Sequence, residues 1–369
     1  MSEYHVARLA RALSFAGVAT PAELPWGAFT GVHPIRYIRQ NRDKLDIIDE
    51  LQISADKLAL ADEVIAVQEE ILRGLRERAK LLYIGIPFCP SRCKYCSFVS
   101  ESVEKSHKLI PEYVDVLVGE LATITKADFT AVYIGGGTPT SLPLSELERV
   151  LATLVMTKTP EFTLEAGRPE TITDENLRLA DKFGVSRISI NPQSMNDKTL
   201  RIIGRGHDSA EIYKAYEKAR KYDFVVNMDL IGGLPDETRA EFVASLNKVI
   251  ALAPENITVH SFAHKRAADF FKADENTRED FTQVAYDILK AAGYFPYYLY
   301  RQSNCAGDNI GYSRKREYVC AYNIHMTDES AEVFGAGCGA SSRHDDVKSY
   351  NPKFPHEYIS RARRPDAPQ

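Results

Sequence analysis

The sequence predicts an α/β fold built from six strand–helix units in a row, with a helical segment before them and a smaller α+β extension after. Three observations carry this. From residue 81, short apolar runs alternate with amphipathic stretches of helical period. The residues with chemistry in them fall at the ends of those runs. Residues 1–80 show helical spacing and no strand signal. Such alternation makes a parallel sheet with helices outside, either an open doubly wound sheet or a partial barrel.

In chain order, the stretch 24–34 (LPWGAFTGVHP) holds the only tryptophan, and Trp26 reads as a packed core residue in an ordered turn segment. Ser54 is placed to cap a helix on which Leu58, Ala61, Ile65, Leu72 and Leu75 recur up to Arg76. Residues 81–87 (LLYIGIP) form the first strand. A helix follows with Ile110, Val114, Leu117, Leu121 and Ile124 on one face. The next strands are 131–137, 162–167, 187–193, 225–233 and 257–263, separated by helices such as 173–184 and 238–253. In barrels of this kind the chemistry sits at the C-terminal strand ends. There lie the cysteines after strand one, Gly135 to Thr138 after two, Glu165 near the end of three, Gln193 after four and Ala263 after six, with Asp229 inside five. Beyond residue 294 the pattern turns irregular and aromatic. It reads as short extra strands and loops closing the open side of the sheet, with a polar tail from Ser349. The expected division is 1–80, 81–293 and 294–369.

Composition narrows the function. A net charge of −5 argues against a nucleic-acid binder. No apolar run approaches the ~18 residues of a membrane helix, and the N-terminus has no secretory-signal pattern. Six cysteines are too few for a disulfide framework in 369 residues, so a reducing compartment, the cytoplasm, is expected. Three of the six sit in one loop as C-x3-C-x2-C: Cys89, Cys93 and Cys96. Thiolates this close suit a soft metal centre. A structural zinc wants a fourth ligand, and His107, the nearest histidine, lies some way off on an expected helix. An iron–sulfur cluster held by three cysteines keeps one iron open, which signals chemistry rather than scaffolding.

This spacing, with aromatic Tyr95 just before the third cysteine, resembles the radical S-adenosylmethionine (SAM) motif. The resemblance implies a 4Fe–4S cluster on Cys89, Cys93 and Cys96, with SAM chelating the fourth iron and cleaved to a 5′-deoxyadenosyl radical. The stretches YIGIPFCPSRCKYCSF, YIGGGTPT, LEAGRPE, SINPQSMND, GRGH and NMDLIGGLP further resemble the oxygen-independent coproporphyrinogen III oxidase family. PWGAFTGVHP and YYLYRQSNCAGDNIGY resemble its HemZ-type branch, whose members usually carry more sequence ahead of the PWG element, so the chain reads as a short or trimmed member. The architecture then expected is a partial (β/α)6 TIM-like barrel. SAM contacts are implied for Tyr83, Tyr95, Gly136, Gly137, Thr138, Glu165, Gln193, Arg205, Asp229 and Ala263. Arg205 would grip a carboxylate with its planar fork, Asp229 the ribose hydroxyls. Also implied are a porphyrinogen or another small-molecule substrate, an electron donor such as flavodoxin or ferredoxin, and a place in anaerobic heme synthesis. The catalytic residues are not assigned.

Two departures stand out. The oxidase proper tends to carry a fourth cysteine where this chain has Phe98. The heme-chaperone branch carries H-N-x-x-Y-W, where this chain reads CAYNIHM with Tyr322, Asn323 and His325. Cys305, Cys320 and Cys338 read as inert thiols and His207 as a brace for the cofactor loop. The run SRKRE (313–317) reads as a solvated face or a contact for substrate propionates. A methyl-transferring, cyclopropane-forming or heme-opening enzyme, a heme chaperone and a zinc-stabilised protein are the alternatives.

Overall fold

The computed structural model describes residues 24–73, 78–124, 127–154, 159–263, 279–302, 305–345 and 347–363. Residues 24–73 hold three helices, α1 (Pro34–Gln40), α2 (Leu45–Glu50) and α3 (Ala55–Arg73). Ser54 caps α3, its Oγ accepting the Lys57 N–H at 3.4 Å. The buried face of α3 is Leu60, Ala61, Val64, Ile65 and Gln68. Leu58 and Leu72 are only partly buried, and Leu75 and Arg76 lie outside the described residues.

The alternation runs as expected from β1 (Lys80–Ile86). A parallel clip of β2 (Phe88–Cys89) and β3 (Glu101–Ser102) ties the cysteine loop at its base. Then come α4 (Val103–Ser106), α5 (Ile110–Ile124), β4 (Ala131–Gly136), α6 (Leu144–Thr153), β5 (Glu161–Glu165), α7 (Asp174–Lys182) and β6 (Arg187–Ser189). After β6 follow α8 (Asp197–Ile202), α9 (Ser209–Ala219), β7 (Val225–Gly232), α10 (Arg239–Leu252), β8 (Asn256–Ser261) and α11 (Thr282–Ala291). The helix starts are cut by side chains that satisfy free backbone N–H groups: Thr173 for α7, and reciprocal capping boxes of Asp208 with Glu211 and Thr238 with Glu241 for α9 and α10. The strand expected over 187–193 stops at Ser189. Gln193 rejoins the sheet as a single bridge to Leu230. His107 falls between α4 and α5 rather than on a helix.

Strands β1, β4, β5, β6, β7 and β8 are parallel neighbours in that order. The C-terminal region adds β9 (Phe295–Tyr300), β10 (Asn309–Ser313), α12 (Ala321–Asp328), β11 (Glu332–Gly337), β12 (Ser341–His344), β13 (Val347–Tyr350) and α13 (Pro355–Ala362). Its strands do not lie over the open side. They lengthen both edges into one eleven-stranded sheet, with β10 and β9 antiparallel beyond β8 and β11 parallel beside β1. Helices cover the β9 edge: α1, α3 and α12 all pack on it, and α12 also reaches β4. This is an α/β partial barrel, one of the two architectures the alternation allowed.

Two apolar cores result. The larger lies between the outer sheet face and the helices, where Ile84, Ile134, Leu164 and Leu230 meet Leu117, Leu147 and Leu246. Each such side chain contributes about 1.5–3 kcal/mol on burial. The smaller closes the N-terminal mouth of the barrel with Leu81, Ala131, Tyr297, Ile324 and Val333. Trp26 joins the larger core, as expected, and its indole N–H donates to Asp308 Oδ1 at 2.8 Å.

Candidate active site in the barrel interior

Parallel strands covered on both faces are usually apolar throughout. Here they alternate. In β7, Val226, Met228 and Leu230 are buried against helices while Asn227 and Asp229 are half-buried on the inner face. Register carries the alternation across the sheet: Tyr83 lies beside Tyr133, Tyr133 beside Thr163, Thr163 beside Arg187, and Glu165 beside Ser189. The inner face therefore lines an open cavity of about 760 Å³ instead of a packed core. That is within the usual range for a ligand site.

All thirteen residues singled out from the sequence line this one cavity. Cys89, Cys93, Cys96 and Tyr95 come from the loop after β1. Tyr83 rises from β1, Gly136, Gly137 and Thr138 from the end of β4, and Glu165 from the end of β5. Gln193 and Arg205 follow β6, Asp229 sits in β7 and Ala263 follows β8.

The cysteine loop is held from outside. The Arg168 Nη1 donates to Cys93 Sγ at 3.1 Å and to the Ser91 carbonyl at 3.3 Å. Its Nη2 donates to Ser91 Oγ at 2.9 Å, and its Nε to Glu170 Oε1 at 2.8 Å. Glu170 in turn meets His207 Nδ1 at 3.0 Å. Burial pulls the Glu170 carboxyl upward, but the His207 and Arg168 contacts outweigh it and hold it at about 2. The Lys94 N–H reaches the Ile203 carbonyl at 3.0 Å, and Thr138 Oγ1 approaches Cys89 Sγ at 3.5 Å. Burial raises the Cys89 and Cys96 thiols, so they keep their protons until a metal displaces them. Among the described residues, no three His, Cys, Asp or Glu side chains gather closely enough to hold one ion.

The ridge after β4 is backbone. A Cβ on Gly137 would stand 2.6 Å from the Phe88 carbonyl oxygen, and Gly136 has φ +101°, so side chains are excluded. The N–H groups of Gly137 and Thr138 are spent on the Ile86 and Phe88 carbonyls. Against the ridge, with the Gly136 backbone bonded to it, burial and then Asp229 push the Glu165 carboxyl up to about 7. Asp229 accepts from Asn227 Nδ2 at 2.7 Å and faces His260 Nε2 at 3.6 Å. Gln193 is held at φ +67°, where non-glycine residues are uncommon, and its buried Oε1 has no partner among the described residues. The Arg205 Nη1 donates to the Gly167 carbonyl (2.9 Å) and its Nη2 to the Asn191 carbonyl (2.7 Å), which fixes the guanidinium beside the cavity, with Nε buried and unpartnered among the described residues.

The comparisons place this geometry. Residues 83–249 match the model of the radical SAM superfamily. Oxygen-independent coproporphyrinogen-III oxidase-like protein HemZ of Bacillus subtilis is 34% identical, over 90% of this chain and 75% of its own. This chain belongs to that family of radical SAM proteins. The heme chaperone HemW of Escherichia coli is also related, at 29% identity over 71% of this chain and 69% of its own. Coproporphyrinogen III oxidase HemN from Escherichia coli shares the fold, with a TM-score of 0.62 at 23% identity over 81% of this chain and 72% of that one.

Radical SAM proteins use a 4Fe–4S cluster and SAM. The residues here fit both. Three thiols ride one braced loop, and beside them lie the bare backbone of Gly136 and Gly137 and the Gln193 Oε1 and Asn191 Oδ1, buried with no donor among the described residues.

Radical SAM motifs did not announce every residue in the cavity. Arg168, inside LEAGRPE, gave no such signal, because it reaches the cysteine loop only in the folded chain, 75 positions from Cys93. Tyr133, Asn227, His260, Tyr298 and Tyr300 were missed on the inner face. Their signal was strand alternation. Cys320 lies on the cavity floor, with its thiol 3.3 Å from Glu161 Oε1. Cys338 is buried against the Lys353 carbonyl, and Cys305 is half-buried against the Gln302 and Gly307 carbonyls. The SRKRE run is solvated as expected, Arg314 to Glu317 being exposed, and it does not line the cavity.

Proposed function

We propose that this protein is a radical SAM enzyme that converts porphyrinogen propionates to vinyl groups by oxidative decarboxylation, as a coproporphyrinogen III dehydrogenase of anaerobic heme synthesis. The observation that carries the reading is the meeting of the cysteine loop with a large aromatic and polar cavity in a HemZ relative. Cys89, Cys93 and Cys96 would hold the cluster. The Gly136–Thr138 ridge, Glu165, Gln193, Asp229 and Ala263 would surround SAM. Bound there, the pair supplies a 5′-deoxyadenosyl radical able to take hydrogen from an unactivated carbon.

The chain's own residues then have three tasks. Arg168 keeps the cysteine loop in register. Glu165, with Tyr133 hydrogen-bonded to it, holds a proton close to neutral pH at the cofactor. The tyrosines wall the substrate space: Tyr322 stacks on Tyr133 with centroids 4.8 Å apart, and Tyr298 lies parallel to Tyr300 at 6.4 Å. Each propionate loses one hydrogen atom, carbon dioxide and one electron. The reaction therefore needs a reducing donor such as flavodoxin or ferredoxin to start it, and a one-electron acceptor to finish it.

The test is anaerobic turnover of reconstituted protein with reductant, SAM and coproporphyrinogen III. Deoxyadenosine and protoporphyrinogen are quantified together, with Cys93→Ala as control. Both products should appear and both should vanish in the control. Deoxyadenosine without vinyl product would move the activity to another substrate. A second reading, heme carriage, is favoured by the HemW relatives and by Phe98, 65% exposed where the oxidase tends to have cysteine. His325 speaks against histidine ligation of heme in that region. It is fully buried, and its Nδ1 meets Ser330 Oγ at 2.9 Å. Stoichiometric heme binding with no substrate-dependent deoxyadenosine would establish the carrier.

A further inference from the structure

The cavity has a second end, away from the cysteine loop. It continues past Asn323, Met326 and Thr327 of α12 to Glu329, His33 and the inner side of the β12–β13 hairpin, where Arg343 and Lys348 line it. Arg343 and Lys348 are cross-strand partners, which sets their side chains together.

Charge at this end does not balance. Glu329 is the shared carboxylate of three cations: Arg36 by a direct contact, Arg343 Nη1 at 3.5 Å and Lys348 Nζ at 3.5 Å. Asp328 is engaged by Arg39 at 2.6 Å. Arg343 Nη2 also donates to the Ala331 carbonyl at 2.9 Å. Two positive charges are left without an equal countercharge. The Nε atoms of Arg36 and Arg343 and the Nδ1 of His33 are buried with no partner among the described residues. The other arginines lining the cavity are anchored away from this end: Arg168 on Ser91, Cys93 and Glu170, Arg205 on two backbone carbonyls and Arg187 on Asn256 and the Tyr318 and Val319 carbonyls, the last two arginines also leaving Nε buried without a partner among the described residues.

We propose that this end is a carboxylate subsite, in which Arg343 and Lys348 hold the propionate arms of the substrate that do not react. The inference rests on the porphyrinogen reading above. A tetrapyrrole with four carboxylates presents one arm to the cofactor end, and the remaining arms need cations at a distance from it. Neutral rings between the two ends lie against the tyrosine walls. Selectivity for substrates with several carboxylates then comes from the hairpin.

The experiment measures binding of coproporphyrin III, the stable oxidised form, to full-length protein by fluorescence. The variants are Lys348→Glu, Lys348→Ala and Arg343→Gln. Lys348 is half exposed on the hairpin, so its variants should fold, which circular dichroism checks. The expected result is about tenfold weaker binding for Lys348→Ala, more for the charge reversal, with SAM binding unchanged. In the wild type, affinity for coproporphyrin III should fall with salt, and its tetramethyl ester should bind about tenfold or more weakly. If the wild type binds and all three variants bind as it does, the subsite is wrong and the porphyrinogen reading stands. If the wild type does not bind coproporphyrin III at all, both fall together.

Discussion

Glu165 stands on the inner face with its carboxyl pushed up to about 7, first by burial and then by Asp229. The folded state thus holds this proton more tightly than the unfolded chain does. Between the unfolded carboxylate range near 4.5 and about 7, stability falls as pH rises, and above 7 the loss is complete. Glu165→Gln removes that loss. In cofactor-free protein the variant should be more stable than the wild type at pH 8, by on the order of 1–3 kcal/mol, and the gap should close below about pH 4.5. Urea melts at the two pH values read it, and an equal gap at both would refute the assignment. Gly137 gives the opposite kind of prediction. A methyl group there meets the Phe88 carbonyl oxygen at 2.6 Å and the Ile86 carbonyl oxygen at 2.8 Å, both backbone and unable to swing away. Gly137→Ala should lose about 1–3 kcal/mol and weaken SAM binding, as thermal melts with and without SAM would reveal.

Among the elements, α12 departs furthest from expectation. CAYNIHM had read as part of an irregular closing region, and it forms a helix whose Tyr322 and Ile324 are buried in the mouth of the barrel. Its sequence is weakly amphipathic because its surroundings are apolar on several sides. It meets β4, β9, α1 and α3 at once. Tyr322→Ala should cost about 3 kcal/mol and open the cavity floor, measurable as a lower urea midpoint with increased dye binding. The cysteine loop is braced with comparable economy. Arg168→Gln keeps some hydrogen bonding but loses the charge beside Cys93. It should lower iron retained after reconstitution and shift the cluster's midpoint potential downward. An unchanged potential at full iron loading would reduce Arg168 to a packing role.

Across the whole molecule, the N-terminal segment and the loop before β10 are fastened by one buried knot. Asp308 receives the Trp26 indole at 2.8 Å and Lys57 Nζ at 2.6 Å, with all three side chains buried. Asp308→Ala strands Lys57 as an unpaired buried cation, which should cost about 3–5 kcal/mol. The 24–73 helices should then become sensitive to brief proteolysis before the barrel unfolds. The knot joins PWG to GDNIGY across more than 280 positions, a pairing that neither stretch declares on its own.

What the sequence by itself determined is local. Period and punctuation gave the parallel strands, because apolar spacing is dictated by whichever face is covered. The C-x3-C-x2-C loop and the strand-end glycines resembled the radical SAM pattern, and the cofactors followed from that resemblance. Tertiary structure decided what depends on curvature and on long-range neighbours. Tyr133, Asn227 and His260 become cavity walls only once the sheet curls. The Arg205 guanidinium is fixed only because carbonyls from the loops after β5 and β6 come within its reach. Arg36, Arg343 and Lys348, more than 300 positions apart at the extremes, converge on Glu329 only when α1 packs on α12 and the β12–β13 hairpin joins β11. Contacts of that range leave no periodic trace in the chain, since each partner's own neighbourhood is satisfied without the other.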